Sequence, residues 1–142
     1  MNLLFFLTPK VSCSHLESDE SLREAIERMN LAGYTSLPII DKEGRYLGTM
    51  AEGDLLRGLV RICGGDLKQA ELTNIMELPR RRDYAPVRVS EDTESLLNKA
   101  LDQNFVPVVD DRDTFIGIVT RTTMMQYFLR ELEDPVQPAA VG

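Results

Sequence analysis

Leu37-Pro38-Ile39-Ile40-Asp41 returns as Val106-Pro107-Val108-Val109-Asp110, with the two prolines 69 residues apart. The register holds downstream without a gap: Tyr46-Leu47-Gly48-Thr49-Met50 lies over Phe115-Ile116-Gly117-Ile118-Val119 at the same offset. Upstream, Phe5-Phe6-Leu7-Thr8-Pro9 lies over Ile75-Met76-Glu77-Leu78-Pro79 at an offset of 70. A period near 70 exceeds that of the common solenoid repeats and reads as the duplication of one small module.

Each copy has the same local pattern. In the first, the polar start Ser18-Asp19-Glu20-Ser21 precedes Leu22, Ala25, Ile26, Met29 and Ala32, which is helical spacing with N-cap chemistry in front and Gly33 behind. Leu37 to Asp41 and Tyr46 to Met50 read as two strands around the turn Lys42-Glu43-Gly44-Arg45, followed by a helix over 52–62 closed by Gly64-Gly65. In the second, Val87-Arg88-Val89 is a strand, Ser90-Glu91-Asp92-Thr93 opens a helix, 106–109 and 115–119 are strands, and 120–132 is the closing helix. The order strand–helix–strand–strand–helix places the chain in the α/β (α+β) class. Ser90 to Pro107 spans 17 positions where Ser18 to Pro38 spans 20, so the first helix of the second copy is the shorter. The modules are read as 1–65 and 66–133, with 134–142 as a frayed tail. A module of about 60 residues buries too little surface to stand alone, so the halves are expected to share a core.

The chain has 142 residues and a net charge of −7, divided as −3 over residues 1–71 and −4 over 72–142. That acidity argues against a broad nucleic-acid or anionic-membrane surface, since both depend on clustered Lys and Arg. It leaves room for one small anionic ligand. Cys13 and Cys63 lack metal-ligand spacing and are expected to be buried free thiols. Leu3-Leu4-Phe5-Phe6-Leu7 is too short for a membrane span and has no basic flank, so a cytoplasmic protein is expected. His15 is the only histidine, the carboxylates show no acid/base pairing, and there is no Walker loop, HExxH or dinucleotide fingerprint. These features point away from an enzyme. Arg80-Arg81-Arg82, the one basic run, reads first as a solvated loop.

The two ordered copies, each with its leading Pro9 or Pro79, its Pro-centred strand and its Gly48 or Gly117, resemble a tandem pair of CBS (cystathionine β-synthase) domains over residues 2–132. The resemblance implies two sheets packed as a pseudo-symmetric pair, clefts at their junction that take adenine nucleotides, and association into a homodimer. It also implies a signature of Gly, two apolar residues, Ser/Thr, two variable residues and Asp. Here the signature is split: Gly48-Thr49-Met50-Ala51-Glu52-Gly53-Asp54 keeps the acid, while Gly117-Ile118-Val119-Thr120-Arg121-Thr122-Thr123 keeps the hydroxyl. A carboxylate suits ribose hydroxyls and repels phosphate, whereas a hydroxyl beside free N–H groups at a helix start favours phosphate. The clefts are therefore expected to be unequal.

Thr8-Pro9-Lys10-Val11-Ser12, Gly33-Tyr34-Thr35-Ser36-Leu37-Pro38, Asn104-Phe105-Val106-Pro107-Val108 and Val119-Thr120-Arg121 are similar to stretches of the small stand-alone CBS-pair proteins that bind cyclic di-AMP. That resemblance implies a ligand site at Lys10, Ser12, Tyr34, Thr35, Ser36, Thr120, Arg121, Thr122 and Thr123, with Lys10 and Arg121 balancing phosphodiester charge and Tyr34 covering a base. A weaker second cleft would use Asp54, Phe105 and Val106. The expected function is a non-catalytic regulator that binds cyclic di-AMP, or AMP, ADP or ATP, as ligand rather than cofactor, and signals to a protein partner. A ligand-independent dimeric adaptor is the alternative. Leu55-Leu56-Leu59-Val60 and Met124-Met125-Phe128-Leu129 are candidate dimer faces, or else internal core.

Overall fold

The computed structural model describes residues 2–133; the tail read as 134–142 lies outside them. The first repeat forms β2 (Leu16–Glu17), α1 (Leu22–Ala32), β3 (Ser36–Ile40), β4 (Tyr46–Ala51) and α2 (Glu52–Arg57), preceded by β1 (Thr8–Pro9). After α3 (Leu67–Leu72), the second repeat forms β5 (Val87–Arg88), α4 (Thr93–Ala100), β6 (Phe105–Val109), β7 (Phe115–Thr120) and α5 (Arg121–Glu133). Both repeats have the expected order, and the duplication extends to detail. Leu37 faces Met50 and Val106 faces Val119 in antiparallel pairs, and each register shifts at the same place, between Ile39 and Ile40 and between Val108 and Val109.

Local chemistry sets the helix ends. Ser21 caps α1 in a capping box with Glu24, and Gly33 closes it at φ 73°, a left-handed conformation that glycine adopts without steric cost. Asp92 caps α4, which has eight residues against eleven in α1, in line with the shorter spacing. The helix expected over 52–62 is α2 continued by a π-helical turn, Gly58–Ile62. Gly58 lies under Leu78, where a Cβ would run into the Leu78 side chain. α3 escaped the reading because six residues are too few for a clear period.

Packing crosses the boundary placed between residues 65 and 66. One sheet is β1-β7-β6-β5 and the other β2-β3-β4, so the leading strand β1 joins the second repeat's sheet. Leu3 and Phe6 are buried with Val87, Leu96 and Val119, while Ile75 and Leu78 are buried with Leu22, Ile39 and Leu55. Each repeat thus lends its leading segment to the other's core. Burying each of these side chains is worth about 2 kcal/mol, so the exchange ties the repeats together more firmly than surface contact would. A third cluster of Ile40, Phe105, Phe115 and Ile118 lies between them, and the hairpin turns meet where Phe115 N–H donates to the Gly44 carbonyl at 2.8 Å. The core is shared, as expected.

The two leading segments differ in how they meet the opposite sheet. Thr8 and Pro9 pair with Ile118 and Gly117 as a β-ladder. Pro79 to Asp83 forms no strand; instead the Asp83 carboxylate accepts the Thr49 N–H on the outer edge of β4, at 2.9 Å.

Candidate functional site

A cavity of about 500 Å³ opens between the repeats, within the size range of small-ligand sites. Three segments wall it: Ser12-Cys13-Ser14 after β1, Tyr34-Thr35-Ser36 between α1 and β3, and Thr120, Thr122 and Thr123 at the start of α5. Asn104 and Phe105 complete it from the second repeat. Every lining side chain among the described residues is neutral, and most carry a hydroxyl. Thr120 accepts the Thr123 N–H at 3.1 Å, and the two hydroxyls stand 2.7 Å apart. The start of the 13-residue helix α5 therefore presents backbone donors and hydroxyls to the cleft, an arrangement suited to an anion.

Of the expected ligand residues, Ser12, Tyr34, Thr35, Ser36, Thr120, Thr122 and Thr123 come together here. Lys10 and Arg121 are not part of the lining. The Arg121 guanidinium donates to the Ala100 carbonyl at 3.0 Å and the Leu101 carbonyl at 3.3 Å, closing the C-terminal end of α4. The Lys10 ammonium lies by the turn at Gly44. Cys13 corrects the expectation of two buried thiols. It is half-buried and lines the cavity, and its Sγ donates to the Thr8 and Pro9 carbonyls at 3.2 Å each. Burial pushes this thiol's pKa up and favours the neutral donor. Cys63 is buried, and both thiols are free.

The second cleft is built differently. The positions matching Thr120 and Thr123 are Ala51 and Asp54, and Asp54 is fully committed. It is 1% exposed and accepts from Ala51 N–H at 3.0 Å, Arg57 at 2.6 Å and Arg81 N–H at 3.2 Å. The ribose role expected of Asp54 would require breaking this set. Phe105, assigned to the second cleft, lines the first, and Val106 is wholly buried in the core. The segment 80–85 is hydrogen-bonded across this cleft, to Thr49, Asp54 and Gln103. Arg80 pairs with Asp83 at 2.8 Å, Tyr84 N–H donates to the Thr49 hydroxyl at 3.1 Å, and the Tyr46 hydroxyl donates to the Tyr84 carbonyl at 2.7 Å. The Gln103 amide holds Ala85 through both its N–H and its carbonyl, at 2.9 and 3.1 Å. Burial pushes the Asp83 carboxyl up, but the bonds from Arg80 and Thr49 outweigh it and hold the pKa below its ordinary value. Burial also raises the Tyr46 phenol well above its ordinary range.

Sequence reasoning missed the parts of this site that belong to loops. Ser14 and Cys13 carry no motif, and Asn104, though it opens one of the similar stretches, has no ligand role implied by it. At an offset of 70, however, Ser12-Cys13-Ser14 lies over Arg82-Asp83-Tyr84, which already sets a small neutral wall against a bulky charged one.

Both repeats match one known family, the CBS domain, over residues 12–61 and 75–130. The chain is 29% identical over 121 residues to the A-adding tRNA nucleotidyltransferase of Aquifex aeolicus (strain VF5); the match takes in 83% of this chain and spans only 13% of that enzyme's length. It is 24% identical over 126 residues to Cyclic di-AMP receptor B of Bacillus subtilis (strain 168), covering 85% of this chain and 82% of that protein. The fold superimposes on the crystal structure of CbpB in complex with c-di-AMP with a TM-score of 0.85, at 20% identity, covering 97% of this chain and 91% of that one.

Proposed function

The chain belongs to the CBS domain family, and from that premise we propose that it is a non-catalytic regulatory protein whose open cleft binds an adenine nucleotide, cyclic di-AMP before AMP, ADP or ATP. The observation that carries this reading is the contrast between the clefts: one is an open cavity lined by hydroxyls at the start of α5, and in the other the loop 80–85 is hydrogen-bonded to the equivalent residues. The preference follows from charge. A neutral lining with one helix start can offset the single charge on each phosphodiester. It offers no lysine or arginine to match the denser charge of a triphosphate. Ser12, Thr35, Ser36, Thr120, Thr122 and Thr123 supply hydrogen bonds, and Tyr34, exposed at the mouth, supplies an aromatic face for a base. Arg121, between Thr120 and Thr122 in the chain, would contribute charge only after leaving the Ala100 and Leu101 carbonyls. The receptor of Bacillus subtilis, by its name, and the CbpB complex support the same ligand class.

Binding across both repeats would bias their packing and so a surface read by a protein partner, to the extent that the ligand prefers one arrangement. That surface includes the apolar side chains the fold leaves outside. Leu55 and Met124 are core, but Leu56, Val60, Met125 and Leu129 are 62%, 58%, 59% and 55% exposed, and a homodimer would cover them. Isothermal titration with cyclic di-AMP, AMP and ATP tests the ligand reading, with cyclic di-AMP expected to bind tightest and one per chain. No heat with any of the three up to about 1 mM, the limit of weak binding, would overturn it. A stable dimer in light scattering without any ligand affinity would favour the adaptor reading instead.

A further inference from the structure

We propose that Asn104 sets base specificity in the open cleft, selecting adenine over guanine at one end of a bound dinucleotide. The inference rests on the adenine-dinucleotide reading above and adds to it the residue that tells bases apart.

Asn104 and Thr35 are equivalent positions, 69 residues apart, and both line the cavity. Their backbones are held in the same way: the Thr35 carbonyl accepts from Glu52 N–H at 2.9 Å, and the Asn104 carbonyl accepts from Arg121 N–H at 3.0 Å. The pseudo-two-fold relation of the repeats thus sets the two residues in equivalent places in a cleft whose ligand itself has two equivalent bases. Their side chains differ. Thr35 and its neighbour Ser36 offer hydroxyls, which can donate or accept and so tolerate either purine. Asn104 offers a carboxamide, one donor beside one acceptor. It is exposed, and its side chain takes part in no hydrogen bond among the described residues. It is also braced from behind. Its N–H reaches the Tyr84 hydroxyl at 3.5 Å, and the Tyr84 ring packs edge-on against Phe105 at 4.8 Å. The loop bonded across the second cleft thus touches the backbone that carries Asn104 in the first.

A carboxamide fits the adenine edge that carries the N6 amino donor beside the N7 acceptor. Guanine presents two acceptors, O6 and N7, on the same edge, so one amide group would face an acceptor with its own oxygen. Only one end of the cleft makes this distinction. A mixed cyclic GMP–AMP can place its adenine on Asn104, whereas cyclic di-GMP cannot avoid placing guanine there.

The test is isothermal titration of the full chain and of Asn104→Thr, which copies the equivalent residue, and Asn104→Ala. The wild type should bind cyclic di-AMP and the mixed dinucleotide within a few-fold of each other, and cyclic di-GMP about tenfold or more weakly. Both variants should keep the wild-type melting temperature, lose about tenfold in cyclic di-AMP affinity and bring the three ligands together. If either folded variant keeps the wild-type preference, or if the wild type binds cyclic di-GMP as well as cyclic di-AMP, Asn104 is not the base reader. If the wild type binds none of the three, the dinucleotide reading fails and this inference goes with it.

Discussion

The two clefts occupy equivalent places in a duplicated fold, yet one is open and the other sealed. Where the open cleft has Ser12-Cys13-Ser14, the sealed one has Arg82-Asp83-Tyr84, and where one has Thr120 and Thr123 the other has Ala51 and Asp54. The difference begins in the leading segments. β1 satisfies the edge of β7 with its own backbone, and the side chains that follow, Ser12-Cys13-Ser14, are small. The second leading segment makes no ladder and uses the Asp83 side chain for that purpose, drawing Arg80 and Tyr84 into the space a ligand would need. Duplication conserved the scaffold, and the side chains after the two prolines decided which cleft stayed available.

The comparison can be broken most directly at its two glycines. At Gly117 (φ 154°) a Cβ would strike the Thr8 backbone carbonyl, so Gly117→Ala should cost about 3 kcal/mol through strain and loss of the β1 ladder. At Gly48 the Cβ would meet the ends of two side chains, the Asp83 carboxylate and the Arg80 guanidinium, and Gly48→Ala should cost nearer 1 kcal/mol. Urea unfolding of both variants measures the gap, and equal costs would mean that the leading segments are held alike.

Asp54→Ala tests whether this carboxylate is structural. Removing a buried group that accepts from Arg57 and two backbone N–H groups should cost about 2 kcal/mol, while leaving the affinity and stoichiometry of cyclic di-AMP unchanged. A drop in stoichiometry on titration would instead make Asp54 a ligand residue. Thr120→Val sharpens the other side. Losing the hydroxyl that accepts the Thr123 N–H should cost about 1 kcal/mol of stability. It should also weaken cyclic di-AMP about tenfold if the hydroxyl contacts phosphate. An unchanged affinity would move the anion away from the start of α5.

The smallest effect concerns acid. The Asp83 pKa is held below its ordinary value in the folded protein, so its stabilisation is present above about pH 4 and fades as pH falls through the folded value. Asp83→Asn should therefore be less stable than wild type at neutral pH, with the difference closing toward low pH. A gap constant across that range, followed by unfolding at several pH values, would show that the carboxylate's charge is not what holds the loop.

The repeat at an offset of 69 to 70 made the fold legible before any coordinates. Short apolar strands, capped amphipathic helices and two prolines in matching positions are local signals, and short-range stereochemistry obeys them in both copies. The family resemblance, and not the register, named most of the residues that line the open cleft, and Thr35, Ser36 and Thr120 sit at helix and strand boundaries that the pattern fixes. Arg121 and Asp54 were harder to read. A charged side chain beside a cleft can reach the ligand or turn to a nearby carbonyl or guanidinium, and both alternatives fit one sequence. The tertiary structure decided these choices, along with the exchange of leading segments between cores and the closure of one cleft by residues 80–85. Those outcomes depend on which groups compete for the same hydrogen bonds across 18 to 35 residues of chain, as Gln103 holds Ala85 and Tyr84 meets Thr49. The sequence by itself determined a duplicated module, its elements and a shared core, since these follow from period and polarity. Which cleft is open rests on packing between segments far apart in the chain, where the physical choice is settled only when the competing partners are brought together.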